Sequence, residues 1–357
     1  MKLQIRLMCA VLLLMAVVFT KCAERPAKKT PEQPYAVGVI DSANYGTTYL
    51  YLLDEHLKET ETLRCPYHGI GSFGSTPIQI QGSVLYVKWM GNTVKPNKCA
   101  VAAMDLQTGE WKDYDFGDGI IEDFRVNENG IYVLNNNVSP RVEFCSLEDG
   151  KRTSVETENV AGLAISVHGY DVYYIGMEMG QAEDDETEDK CFLYRVNVKE
   201  QSQEKLLDVT AELGDNMLGY TQWHDGRMYV PNGDKMSIYE PAENKIRYVA
   251  LPGKEARQVL ADEEWLYIVD CDIQNDGETD IYRFHPVTEE IEASYHIAES
   301  AMQTYIRDGI CYVLQQEPET KICTYQLLDD GTCEKMNGAV IQEETDDGHR
   351  ISDLFVK

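Results

Sequence analysis

A short apolar run with a central tyrosine, entered through a turn, recurs along the chain. In Asn129-Gly130-Ile131-Tyr132-Val133-Leu134-Asn135 a turn pair leads into a strand-length apolar segment and a polar stop, the pattern of a β-strand. Copies are Gly82-Ser83-Val84-Leu85-Tyr86-Val87, Asp171-Val172-Tyr173-Tyr174-Ile175, Gly226-Arg227-Met228-Tyr229-Val230, Trp265-Leu266-Tyr267-Ile268 and Gly309-Ile310-Cys311-Tyr312-Val313. A second marker follows most of them, a strand running into a turn rich in Asp, Glu, Gly or Pro. Met104-Asp105-Leu106-Gln107-Thr108-Gly109, Ser146-Leu147-Glu148-Asp149-Gly150, Tyr239-Glu240-Pro241-Ala242-Glu243-Asn244 and Leu328-Asp329-Asp330-Gly331 show it. These are hairpin-turn residues.

The repeat tyrosines stand at 86, 132, 173, 229, 267 and 312, at intervals of 46, 41, 56, 38 and 45. A strand-built period of about 45 residues is the mark of a β-propeller, one four-stranded blade per repeat. The first part of the chain starts mid-repeat: residues 35–40, 48–53 and 59–63 read as second, third and fourth strands. At the far end His349-Arg350-Ile351-Ser352-Asp353-Leu354-Phe355-Val356 is a strand with no blade after it, and it is similar to Ile120-Ile121-Glu122-Asp123-Phe124-Arg125-Val126. The prediction is an all-β, seven-bladed β-propeller closed by the C-terminal strand joining blade 1. Six or eight blades are the alternatives. Closure removes open sheet edges.

The distance from the repeat tyrosine to the second marker varies: 19 residues from Tyr86 to Asp105, 24 from Tyr173 to Asn197, 11 from Tyr229 to Glu240. The variation falls in the hairpin between the second and third strands, which projects from one face. Variable loops on a rigid scaffold are where binding is expected. Trp89, Asn135, Asn137, Arg141 and Trp223 are the candidates for that face, holding a glycan or serving as anchors for a protein partner. For the tryptophans, blade packing is the competing reading. The blade 4 hairpin is dense in Glu and Asp between 178 and 189. The blade 6 hairpin, Asp270-Cys271-Asp272-Ile273-Gln274-Asn275-Asp276-Gly277, offers Asp270, Asp272 and Asp276 as oxygen ligands for calcium, against a solvated acidic loop.

Composition narrows the class. The chain has 357 residues, 43% of them hydrophobic, with 22 tyrosines, enough for a sizeable core. Its formal net charge of −29 disfavours nucleic acid and anionic lipid and favours basic partners. Residues 1–22 read as a signal peptide: Lys2 and Arg6, then an apolar run over 7–20 that is short for a membrane span. Cys22 and a polar tether over 23–34 follow, leaving 35–357 as one domain. Of ten cysteines, two lie in the leader. No Cys-x-x-Cys pair occurs, and Cys311 with Cys323, on neighbouring strands, is the disulfide candidate set against buried free thiols.

Enzymatic motifs are sparse. No Gly-x-Ser-x-Gly elbow is present, and the seven histidines show no metal-ligand spacing. Gly69-Ile70-Gly71-Ser72-Phe73-Gly74 matches Gly-x-Gly-x-x-Gly, but it lies between Cys65-Pro66 and Thr76-Pro77 rather than between a strand and a helix. It reads as the loop entering blade 2.

The body of the chain resembles the bacterial exported β-propellers, including those on lipoprotein leaders. The resemblance rests on the repeat period, the Gly/Asp-x-x-Tyr-Val strand and the Asp/Gly turns. It implies an extracytoplasmic location, at the cell surface, in the periplasm or secreted. Cys22 would be the lipidation site and the only link to a membrane, although Lys21 stands where the lipoprotein pattern has a small residue. No catalytic residue carries over, because the fold hosts unrelated functions. The expected function is non-catalytic binding of a protein or glycan. A hydrolase or lyase acting on extracellular carbohydrate or peptide, and a structural part of an envelope assembly, are the alternatives.

Overall fold

Each copy of the tyrosine strand becomes the second strand of a four-stranded antiparallel sheet. The computed structural model describes residues 31–32, 34–43, 47–71, 78–91, 96–136, 140–157, 160–178, 190–213, 219–262, 264–271, 277–316, 319–341 and 349–357. Blade 1 begins with β1 (Val37–Ala43), β2 (Tyr49–Leu53) and β3 (Glu59–Arg64). Blade 2 holds β4 (Gln79–Gln81), β5 (Val84–Gly91), β6 (Pro96–Asp105) and β7 (Trp111–Asp118). Blade 3 holds β8 (Ile121–Val126), β9 (Gly130–Asn135), β10 (Arg141–Ser146) and β11 (Arg152–Glu156). Blade 4 holds β12 (Val160–His168), β13 (Asp171–Glu178), β14 (Lys190–Asn197) and β15 (Ser202–Asp208), and a single helical turn, α1 (Thr210–Leu213), follows it.

Blade 5 holds β16 (Gln222–His224), β17 (Arg227–Asn232), β18 (Lys235–Glu240) and β19 (Lys245–Ala250). Blade 6 holds β20 (Ala256–Asp262), β21 (Trp265–Cys271), β22 (Thr279–His285) and β23 (Glu290–Ile297). Blade 7 holds β24 (Gln303–Arg307), β25 (Ile310–Gln315), β26 (Lys321–Leu327) and β27 (Cys333–Val340). The last strand, β28 (His349–Val356), then pairs with β1 in the order β28-β1-β2-β3. Seven blades form, closed as the sequence predicts. The first strands touch in series around the ring, β4 to β8, β12, β16, β20, β24 and β28.

Packing explains the repeat. Seven apolar clusters lie between adjacent blades, one at each interface. The cluster between blades 3 and 4 joins Tyr132, Leu134 and Val142 to Val160, Ile165 and Tyr174. A second strand is covered on both faces, so its run is apolar throughout rather than alternating, and β9 is buried along its whole length. Its tyrosine is scaffold: the Tyr132 hydroxyl donates to Gly169 O of the next blade at 2.7 Å. Tight turns follow the first strands. Asp225-Gly226 and Asp308-Gly309 both take positive φ at both positions, the backbone that a two-residue antiparallel hairpin requires.

Cys65, Cys145, Cys191, Cys271, Cys311, Cys323 and Cys333 are free thiols. Cys311 and Cys323 do sit on neighbouring strands, but Cys311 pairs with Tyr325 and Cys323 with Val313. That two-residue offset is a diagonal, about 7 Å or more between Cα atoms, beyond disulfide reach. The pairing is therefore corrected in favour of buried thiols, Cys311 at 0% and Cys323 at 1% exposure.

Candidate binding faces and the central channel

The connections differ sharply between the two faces. First-to-second-strand turns are uniformly short, as at 82–83, 169–170, 225–226 and 308–309, and third-to-fourth-strand turns span only 106–110, 147–151 or 241–244. On the opposite face the second-to-third-strand hairpins run from 233–234 in blade 5 to 179–189 in blade 4. The blade-to-blade connections there run from 119–120 to 65–78. Length variation is thus confined to one face.

Among the described residues, the candidates from the sequence do not assemble into one site. Asn135 and Arg141 are register partners in β9 and β10 and meet through Glu143, which accepts from Asn135 Nδ2 at 2.8 Å and Arg141 Nε at 2.6 Å. Asn135 is fully buried, and its Oδ1 faces Gly119, where any Cβ would lie 2.1 Å away. The pair braces the hairpin. Its neighbour Asn136 clamps blade 3 to blade 4, donating to Gly162 O at 2.7 Å and accepting from Gly162 N at 3.1 Å.

Trp89 belongs to the core between blades 1 and 2 and packs on Tyr67 at 4.6 Å. As a rim residue it is a correction: β5 carries it inward. Trp223, in β16, precedes the turn at 225–226 and so lies toward the short-turn face, stacked on His168 and Tyr173. It too leaves the variable-loop set. Asp270 ends up largely buried in β21, accepting from Glu255 N at 3.1 Å. Burial pushes its carboxyl up to about 6, an environment that opposes the charge a calcium ligand needs. Asn137, Asp272, Asp276 and Cys22 lie outside the described residues. Among the described residues no three His, Cys, Asp or Glu gather in a way that could hold a metal ion.

The buried polar groups concentrate instead on the first strands, around the central channel. Asp123, Arg125, Ser166, Thr221, Gln258, Thr304, Ser352 and Asp353 are all buried there. A bulge recurs at one place, between Ile121 and Asp123 in β8, Ala256 and Gln258 in β20, and opposite Ile40 and Asp41 in β28. The residue after it is Asp123, Gln258 or Asp353, and the bulge re-aims these side chains. Asp123 accepts from Phe124 N at 2.8 Å and Ile165 N at 3.1 Å and pairs with the Arg125 guanidinium. Arg125 reaches over blade 4 to Thr221 O at 3.3 Å, and Thr221 Oγ1 donates to Ile165 O at 2.5 Å.

Across the ring, Gln303 Nε2 donates to Asp353 Oδ1 at 2.7 Å, and its Oε1 accepts from Leu354 N at 2.8 Å. The Tyr305 hydroxyl spans from blade 7 to Ile78 O of blade 2 at 2.8 Å. Burial, then Asp123 and Asp353, raise the Tyr220 phenol well above its ordinary range, so it stays protonated. A cavity of about 580 Å3 opens beside this plug, walled by Ile80, Val126, Val167, Leu260 and Ile306. The carboxylates are committed to main-chain N–H groups and neighbouring side chains, so the network reads as a structural hub tying blades together. One signal was present in the sequence: Ile-x-Asp stands in both Ile121-Glu122-Asp123 and Ile351-Ser352-Asp353.

Comparison with known proteins agrees with the fold. No protein-family model and no curated protein matches the chain. Solved structures do. A chain of a mitotic checkpoint complex aligns with a TM-score of 0.57 at 9% identity, over 88% of this chain and 83% of that one. The tricorn protease aligns at 0.52 and 10% identity, over 90% of this chain but only 36% of its own. The Neurospora crassa Pan2 WD40 domain aligns at 0.50 and 12% identity, over 73% and 78%. At such identities the likeness is one of fold. The chain is a seven-bladed β-propeller, the fold it shares with these structures.

Proposed function

We propose that this protein is an exported, non-catalytic propeller that binds a protein partner with a basic surface through its long-loop face. The carrying observation is the confinement of loop variation to that face, over a scaffold whose other face has uniformly short turns. Rigid blades fix the strand ends from which such loops leave, so the scaffold itself needs no ordering at binding. Charge gives the partner its character. Glu183, Asp184, Asp185, Glu186, Glu188 and Asp189 belong to the connection 179–189, and Glu343, Glu344, Asp346 and Asp347 to 342–348. Acidic loops on a chain of net charge −29 steer basic surfaces and speed encounter. Export rests on residues 1–22, with Cys22 as the point of lipid attachment. The similar chain from a mitotic checkpoint complex is part of a protein assembly, in keeping with a binding scaffold.

The test compares capture of envelope and secreted proteins by the wild type and by a variant carrying a Gly-Asp turn, as at 233–234, in place of 179–189. A saturable interaction that weakens with salt and is lost in the variant, at unchanged melting temperature, is expected. Identical captured sets for the two proteins would refute the loop-face reading. Fractionation with mass analysis of the mature N-terminus checks export and the fate of Cys22.

A further inference from the structure

The junction of blades 1 and 2 carries polar chemistry that the scaffold does not use. Where the chain leaves β3, Arg64, Pro66 and His68 look across a cavity of about 630 Å3 toward Glu110 and Trp111, a size that suits a small ligand. Trp111 is only partly buried and is held from behind: Tyr67 packs edge-on to it at 5.7 Å and is itself seated on Trp89. The Cys65 thiol at the cavity wall is buried, which pushes it up to about 12. It is neutral and inert, and adds apolar wall rather than reactivity.

The polar groups around this platform are open. Arg64 makes no ion pair among the described residues, although the chain has 61 acidic side chains. Arg125, Arg141, Arg195, Arg227, Arg247 and Arg283 are paired, whereas among the described residues Arg64, like Arg152 and Arg257, is not. The Glu110 carboxylate likewise has no ion-pair partner there.

A sugar ring matches this set of groups. It presents a C–H face, which packs on an indole, and an edge of hydroxyls that donate and accept together. A guanidinium donates in pairs, and a carboxylate accepts in pairs. We propose that this cleft binds a saccharide, with Trp111 as the stacking platform and Arg64 and Glu110 as hydroxyl partners. It shares no residue with 179–189 or 342–348, so it and the protein-binding reading stand or fall separately.

The test uses the full chain with maltose, cellobiose, chitobiose, lactose and digalacturonate as probes, followed by tryptophan fluorescence and saturation-transfer NMR. Saturable binding of at least one probe is expected, with transfer strongest to ring C–H protons. Trp111→Ala should weaken it by about tenfold or more, a factor in reach of one stacked ring. Glu110→Gln and Arg64→Gln, both at exposed residues, should weaken it several-fold at unchanged melting temperature. They carry the test if Trp111→Ala fails to fold. Absence of binding by every probe, or wild-type affinity in Glu110→Gln and Arg64→Gln, would overturn the proposal.

Discussion

Ring closure predicts a reversal of sign in a double-mutant cycle between Gly38 and Phe355. These residues face each other across β1 and β28, and Phe355 is fully buried in the cluster between blades 1 and 2. Its ring lies over Gly38 so closely that a Cβ there would sit 2.1 Å from Cζ and 2.3 Å from Cε1. Gly38→Ala alone therefore overpacks the closure and should cost about 1–3 kcal/mol. Phe355→Ala alone leaves a void that a glycine cannot fill and should cost about 3–5 kcal/mol. At about 2–4 °C per kcal/mol for a large domain, the melting temperature falls by roughly 10 °C. In the double variant the methyl group added at position 38 enters the void, so Gly38→Ala becomes neutral or stabilising and the pair couples by about 1–3 kcal/mol. Urea unfolding of the four proteins measures the cycle. Additivity within about 0.5 kcal/mol would refute this account of the closure.

Other consequences are as direct. The Asp270 carboxyl, raised to about 6 chiefly by burial, keeps its proton in the folded state where the unfolded chain has lost it. Its stabilising contribution is present below about pH 4 and is lost as pH rises through 6. Asp270→Asn should thus be more stable than wild type near about pH 7.5 but not near about pH 4. The gain is at most about 3 kcal/mol and roughly half that after solvent screening, and equal urea midpoint shifts at both pH values would sink it. Asp123→Ala strands the Arg125 charge and two main-chain donors, for a loss of about 3–5 kcal/mol. Asp123→Asn with Arg125→Met should lose less, and the opposite order would show that the pair is not the hub. Reductant should leave the melting temperature unchanged, because seven cysteines, Cys311 and Cys323 among them, are free; a fall on reduction would reveal a disulfide. Calcium should leave it unchanged too, since Asp270 is buried and committed to Glu255, and a rise lost in Asp272→Asn would contradict this.

Much of the architecture is local and was legible in one dimension. A strand covered on both faces must be apolar throughout, so β9 and its copies declare themselves, and Asp-Gly pairs mark where the chain reverses. The extra strand at 349–356 told of closure because a blade lacking its first strand and a strand lacking its blade complete each other. The one-turn helix at Thr210–Leu213 went unseen, being too short to show a period.

Side-chain destinations are another matter. For Trp89 and Trp223 the sequence left rim and blade packing open and the structure packs both, because a strand end near a loop looks the same whether its side chain turns out or in. Asp270 read as a calcium ligand and is a buried acceptor for a residue fifteen positions earlier. The channel network joins Asp123, Ile165 and Thr221, and the saccharide cleft joins Arg64 and His68 to Glu110 and Trp111, residues that meet only when blades stack around a ring. Sequence by itself determined the blade and its closure and favoured seven copies over six or eight, since these depend on periodicity and on turns within one repeat. Only the tertiary structure decided which polar groups are consumed by neighbouring blades and which are left open, because burial and partnership are properties of the interface between repeats.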